Sequence, residues 1–289
     1  MTSSRPAPRA LVVLPALLLA SHTLVAQQDR SRSGEYRPVA GQPGKDVVWV
    51  PTPEGLVERM LQLAGVGSDD YVIDLGSGDG RTVIMAAERF GARALGIEYN
   101  PDLVALSRRD AELAGATALV EFVQADIFES DFSQATVITL YLTPGINLKL
   151  RSRLLELRPG TRVVSHDFRM AAWQPDEKVT FEGRDAYLWV VPADVAGTWK
   201  LTLPTEENEE TWTLALDQRF QTVSGRVRLF NEQEWLDVTG SLRGAEVRLQ
   251  FTDASGRLRV ISGRVFSDRI DGTVDNGAGT SLRWRAVPR

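Results

Sequence analysis

The chain contains no cysteine, which excludes disulfides, a thiol nucleophile and thiolate metal sites. Histidine is almost as scarce, with His22 and His166 the only two. A histidine-based triad or metal centre is therefore not expected, and no metal site is assigned. Basic charge is not in excess: 33 Lys and Arg stand against 38 Asp and Glu, for a formal net charge of −5. No nucleic-acid partner is expected from such a balance. What remains is a chain of 289 residues, 43% hydrophobic and 25% charged, a globular composition with length for one large domain or two ordinary ones.

The one long apolar run lies at the start. Arg5 and Arg9 precede ALVVLPALLLASHTLVA, residues 10–26, and Gln27 and Gln28 follow. A positive start, a short apolar core and a small residue at Ala26 predict a signal peptide over residues 1–26, although Leu24 stands where a small residue is preferred. The run also reaches the lower limit for a membrane anchor, while Pro15 argues against the remaining reading, a buried helix of the fold. The protein is thus expected to be exported or membrane-attached, with cytoplasmic exposure of its body the remaining arrangement. Residues 27–46, rich in Gly, Pro, Ser and polar side chains, predict a linker or loose arm.

From residue 47 to 192 two periodicities alternate. Helical spacing is predicted over 53–66, 81–90, 101–114 and 146–157. Buried strands are predicted over 71–75, 92–97, 119–123, 136–142 and 161–165, and two paired strands near 179–181 and 186–191 end the series. Strands alternating with helices of this length predict a doubly wound α/β sheet of seven strands, mainly parallel, with an antiparallel edge. From residue 193 to 289 the helical pattern stops. Segments such as TWKLTL, TWTLAL, SGRVRLF, AEVRLQF and SLRWRA alternate with period two, predicting a small all-β barrel or sandwich.

The sharpest signal is VIDLGSGDGR, residues 72–81. A buried strand carrying Asp74 runs into Gly76, Ser77, Gly78 and Gly80, and a helix starts at once. Such a turn lets backbone approach a ligand where no Cβ intrudes. A dinucleotide fingerprint would need glycine at position 81, where Arg81 stands. Glu98 ends the second strand, placed to accept hydrogen bonds from ribose hydroxyls. Asp126 follows the third, placed for an adenine amino group, with Ile127 as apolar contact. Each acid alone reads as a solvated strand end or a helix cap. Three in order at consecutive strand ends point to one site.

These motifs resemble those of class I S-adenosylmethionine-dependent methyltransferases. The resemblance implies a Rossmann-like methyltransferase fold and S-adenosyl-L-methionine as methyl donor. Asp74, Gly76, Ser77 and Gly78 would receive its methionyl part, Glu98 the ribose, and Asp126 with Ile127 the adenine. WVPTPEGLVERML, GIEYNPDLV and the stretch from TLYLTPG to VVSHDF are similar to a narrower branch. These are the small lysine methyltransferases related to the mitochondrial enzymes that modify ATP synthase c-subunit and adenine nucleotide translocase. The likeness implies a protein lysine as acceptor, on a membrane-associated protein, and an arm at Val50–Pro53 folded over the donor. It covers about half of the chain and leaves out the β region.

Methyl transfer from a sulfonium asks mainly for alignment, plus a deprotonated amine. Tyr141, followed by Thr143, after the fourth strand and His166 and Asp167 after the fifth are the catalytic candidates. For Tyr141 the alternative is an aromatic core role, and for His166 a hydrogen-bonded structural histidine. Three other functions are compatible with parts of the pattern: a small-molecule N- or O-methyltransferase, a nucleotide-dependent oxidoreductase, and an exported non-catalytic protein that keeps the scaffold and binds a partner through its β region.

Overall fold

The computed structural model describes residues 36–204, 209–230, 232–275 and 281–289. The expected signal segment 1–26 and residues 27–35 of the expected linker lie outside these.

Helices α1 (Glu54–Leu63), α2 (Arg81–Phe90), α3 (Pro101–Leu113) and α4 (Pro144–Leu155) alternate with strands β1 (Tyr71–Leu75), β2 (Arg93–Glu98), β3 (Val120–Gln124), β4 (Val137–Leu140) and β5 (Arg162–His166). Strands β6 (Glu177–Phe181) and β7 (Arg184–Val190) complete a seven-stranded sheet in the order β3-β2-β1-β4-β5-β7-β6. The first five strands are parallel, and β7 runs antiparallel to both β5 and β6.

Side chains alternate across this sheet. Val72 joins a core with Leu56, Val57 and Leu61 of α1 and Val83 of α2. Its neighbour Ile73 joins the opposite core with Leu150 and Leu154 of α4. Both faces are buried, so the strands read as continuous apolar runs. Local punctuation sets the helix limits: Gly80 (φ 79°) and Gly91 (φ 68°) bracket α2 in left-handed conformations. Pro101 opens α3 while the Asn100 side chain accepts a hydrogen bond from the Asp102 N–H at 2.9 Å.

The remaining strands, β8 (Gly197–Pro204), β9 (Glu209–Arg219), β10 (Thr222–Arg228), β11 (Leu236–Arg243), β12 (Glu246–Thr252), β13 (Leu258–Val265), β14 (Ile270–Asp275) and β15 (Ser281–Pro288), close into an antiparallel barrel. Of the two shapes expected, it is the barrel. Its interior holds Trp199, Leu214, Leu249, Phe251, Ile261 and Trp284. Gly263 and Gly272 make room for the Trp284 indole, since a Cβ at either would stand 2.8 or 2.4 Å from its ring. Strand β11 has no counterpart among the segments legible in the sequence. Gly240 breaks its alternation, because a Cβ there would lie 2.4 Å from the Arg248 carbonyl oxygen on β12.

Barrel and sheet touch. Phe220, at the β9–β10 turn with φ 55°, stacks on Trp173 at 6.2 Å, and Gln221 donates to the Gln174 carbonyl at 2.6 Å. Arg243 pairs with Glu177, and the Ala193 N–H donates to the Gly244 carbonyl.

Candidate active site

The glycine turn after β1, the ends of β2 and β4 and the start of the loop after β3 meet at one edge of the sheet, where parallel α/β sheets bind ligands. They line a cleft of about 1030 Å³ counting its open mouth. Asp74, Gly76, Ser77, Gly78, Glu98, Asp126, Ile127 and Tyr141 all form part of its wall. Gly76 (φ 82°) and Gly78 (φ 57°) hold left-handed conformations that would strain a larger residue.

Glu98 is oriented by backbone. Its two carboxylate oxygens accept hydrogen bonds from the Gly78 N–H at 3.0 Å and the Asn100 N–H at 2.8 Å, leaving a lone pair on each for a ligand hydroxyl. Asp74 is nearly out of solvent at 6% exposure and accepts from Thr139 Oγ1 at 2.6 Å. Burial pushes its carboxyl up to about 7, against the opposing pull of the threonine hydrogen bonds. An ammonium beside it would supply the missing counter-charge. Asp126 accepts from the Phe128 N–H at 2.9 Å and pairs with Lys45. The Lys45 hydrogen bond, with that backbone bond, holds its carboxyl below the usual range.

Residues 41–52 cover the cleft. The Gly41 N–H donates to the Trp49 carbonyl and the Trp49 N–H to the Gln42 carbonyl, forming a short hairpin. The part of the expected linker from Gln42 to Asp46 is therefore wall rather than loose connector. The Trp49 indole lies against Gly78, so close that a Cβ at 78 would stand 2.7 Å from its Nε1. Arg81 chelates Asp79 through two nitrogens and donates to the Thr52 carbonyl at 3.0 Å, tying the cover to the glycine turn.

Of the three catalytic candidates, only Tyr141 belongs to the cleft wall. Burial, followed by the Asp167 charge, raises its phenol above the ordinary range, so it stays protonated at neutral pH. His166 is 0% exposed. It lies behind Tyr141 with ring centroids 3.8 Å apart, and burial lowers its pKa to about 4. It is neutral and out of reach of a ligand, which corrects its expected place at the mouth. Asp167 also stands off the cleft wall. Its φ of 56° is held by paired bonds with Asp185: its N–H donates to the Asp185 carbonyl at 2.7 Å, and its carboxylate accepts from the Asp185 N–H at 3.0 Å.

The residues present fit a bound S-adenosylmethionine. Glu98 offers two free lone pairs, Asp74 lacks a counter-ion, and the Ser77 hydroxyl is buried with no partner. Fold and site together define a class I S-adenosylmethionine-dependent methyltransferase.

Comparison with known proteins narrows the class. Residues 74–177 match the ANTKMT methyltransferase domain family. A protein-lysine N-methyltransferase of Saccharolobus islandicus is 42% identical over 151 residues, covering 50% of this chain and 94% of that protein. The chain belongs to this lysine methyltransferase family. The human lysine N-methyltransferase of the ATP synthase c-subunit is 38% identical, covering 50% of this chain and 61% of that protein. A Salinibacter ruber structure, described as an RNA methyltransferase in complex with S-adenosyl-L-homocysteine, is 56% identical with a TM-score of 0.50. It covers 50% of this chain and 96% of its own. The dinucleotide-oxidoreductase and non-catalytic alternatives are set aside.

Proposed function

We propose that the enzyme methylates the ε-amine of a lysine on a protein, which enters the cleft beside Tyr141. The observation that carries this reading is the electrostatic setting of that tyrosine. Burial raises its phenol, the Asp167 carboxylate adds to this, and Arg184 acts the other way through its charge and a hydrogen bond. The half-buried wall around it favours the neutral, nucleophilic form of a lysine amine once bound. When bound, the donor supplies an electrophilic methyl on a sulfonium. The protein's own task is alignment: Glu98 and Asp126 hold the nucleoside, Asp74 meets the methionyl ammonium, and Tyr141 borders the path of the amine. The names of the archaeal and human relatives support a lysine acceptor.

The Salinibacter likeness favours a second reading, an RNA acceptor. Incubation with labelled donor, a membrane extract and total RNA decides between them. Label on lysines of membrane proteins is expected, and label confined to RNA would replace the lysine reading. A membrane-associated acceptor accords with the apolar segment at residues 10–26, from which we infer export or membrane attachment. Intact mass and fractionation of the native protein test that. We also assign residues 38–192 to the catalytic part and 193–289 to the barrel.

A further inference from the structure

The mechanism leaves His166 unused, although the fold gives it an elaborate setting. One edge of the imidazole meets the cover of the cleft: Thr52 Oγ1 is 3.0 Å from Nδ1. One face stacks on Tyr141 at 3.8 Å with an interplanar angle of 26°, and beyond Tyr141 lies Phe168 at 6.1 Å. On the far edge Nε2 is 3.3 Å from Asp167 Oδ2, a residue kept in a left-handed conformation by its bonds to Asp185. Thr52 is itself 7% exposed and part of the cleft wall. Its carbonyl is tied through Arg81 to Asp79 of the glycine turn. An unbroken run of contacts therefore links the donor turn, the cover and the tyrosine at the acceptor end.

We propose that Thr52 and His166 are positioning residues: the Thr52 hydroxyl fixes the imidazole, and the imidazole face fixes Tyr141, so that a seated cover and an oriented tyrosine are one state. A buried imidazole whose one hydrogen bond is to Thr52, with only the 3.3 Å approach of Asp167 on its far edge, can rotate about its χ2 once that bond is lost, and the ring stacked on it then loses its seat. This deepens the reading of Tyr141 as the acceptor-end wall and rests on it.

The test uses the full chain and a pair of substitutions at one position. Thr52→Val keeps shape and removes the hydroxyl, while Thr52→Ser keeps the hydroxyl. Arg81 bonds the backbone carbonyl, so the cover stays tied in both. In Thr52→Val, S-adenosylhomocysteine affinity by calorimetry should stay within about twofold, while kcat on a lysine peptide pool falls about 10- to 100-fold, the scale of a small misplacement of aligned groups. Thr52→Ser should recover most of kcat. The Tyr141 ring resonances, assigned with Tyr141→Phe, should move in the valine variant and return in the serine variant. Unchanged ring resonances and kcat in Thr52→Val would overturn the proposal, as would a loss that serine fails to repair. If the wild type is inert on lysine peptides, the acceptor assignment fails by itself, and the ring resonances still decide the relay.

Discussion

The seven-stranded sheet and the eight-stranded barrel are built from similar apolar strands, yet they use them in opposite ways. Among the described residues the barrel's inward side chains pack into a closed core that includes Trp199, Trp212 and Trp284. The sheet buries both faces and still leaves one edge open, where Asp74, Glu98 and Asp126 meet a covering hairpin. The difference shows where function can accumulate in a fold. Strand ends that point into loops can carry costly groups such as a buried carboxylate, because a ligand can later satisfy them. Strand middles in a filled barrel have no such freedom.

The two regions are expected to fail separately. Trp284→Ala should cost the barrel about 3–5 kcal/mol and leave S-adenosylmethionine affinity intact in the folded protein. Calorimetric unfolding, with and without donor, reads both, and a single shared transition would make the regions one cooperative unit. Glu98→Ala is the mirror experiment. It should weaken donor binding by about 1.5–3 kcal/mol, the value of charge-assisted hydrogen bonds, with the melting temperature of the free protein nearly unchanged. Unaltered affinity would remove Glu98 from the site.

Phe220→Ala addresses the seam between the regions. Trp173 is 0% exposed and covered by Phe220, so about 1–2 kcal/mol of stability should be lost, less than for a residue deep in one core. A chain ended near Ala193 should accordingly melt lower than the whole protein while still binding donor. A loss of donor binding there would show that the barrel supports the site.

The smallest effect concerns Asp74. Its carboxyl titrates near 7 in the folded protein and near the ordinary aspartate value of about 4 when unfolded, so the folded state binds more protons between those values. Stability should therefore fall as pH rises through this window. His166 opposes this below its ordinary value of 6.5, because it binds fewer protons when folded. Between pH 6.5 and 8 the Asp74 loss of about 0.8 kcal/mol outweighs the remaining His166 gain of about 0.4 kcal/mol, so a net loss of about 0.4 kcal/mol is expected. Asp74→Asn or saturating donor should remove that loss in thermal melts.

Much of the sheet was legible because its punctuation is local. Gly80, Gly91 and the Asn100–Pro101 pair announce helix ends within a few residues of sequence, and the glycine turn with its acids declares the donor site. The cover was not legible. Residues 42–46 look like linker, and nothing in their composition reveals that Trp49 needs Gly78 bare or that Lys45 reaches Asp126. His166 misled for a related reason. Its position at a strand end was readable, but its depth behind Tyr141 depends on a residue one strand and one helix earlier in the chain. Strand β11 is not legible in the sequence because Gly240 answers a demand made by β12, not by its own neighbours.

The antiparallel course of β7 decides where the chain leaves the sheet. Val190 pairs with Arg162, at the start of β5, while Ala186 pairs with His166 at its end. The chain therefore leaves the sheet at the edge opposite the cleft. Anything appended there is delivered away from the entrance, so a macromolecule can approach the cleft without competing for space with the appendage. The exit of β7 thus hands the chain to the barrel from the side of the sheet that carries no part of the chemistry.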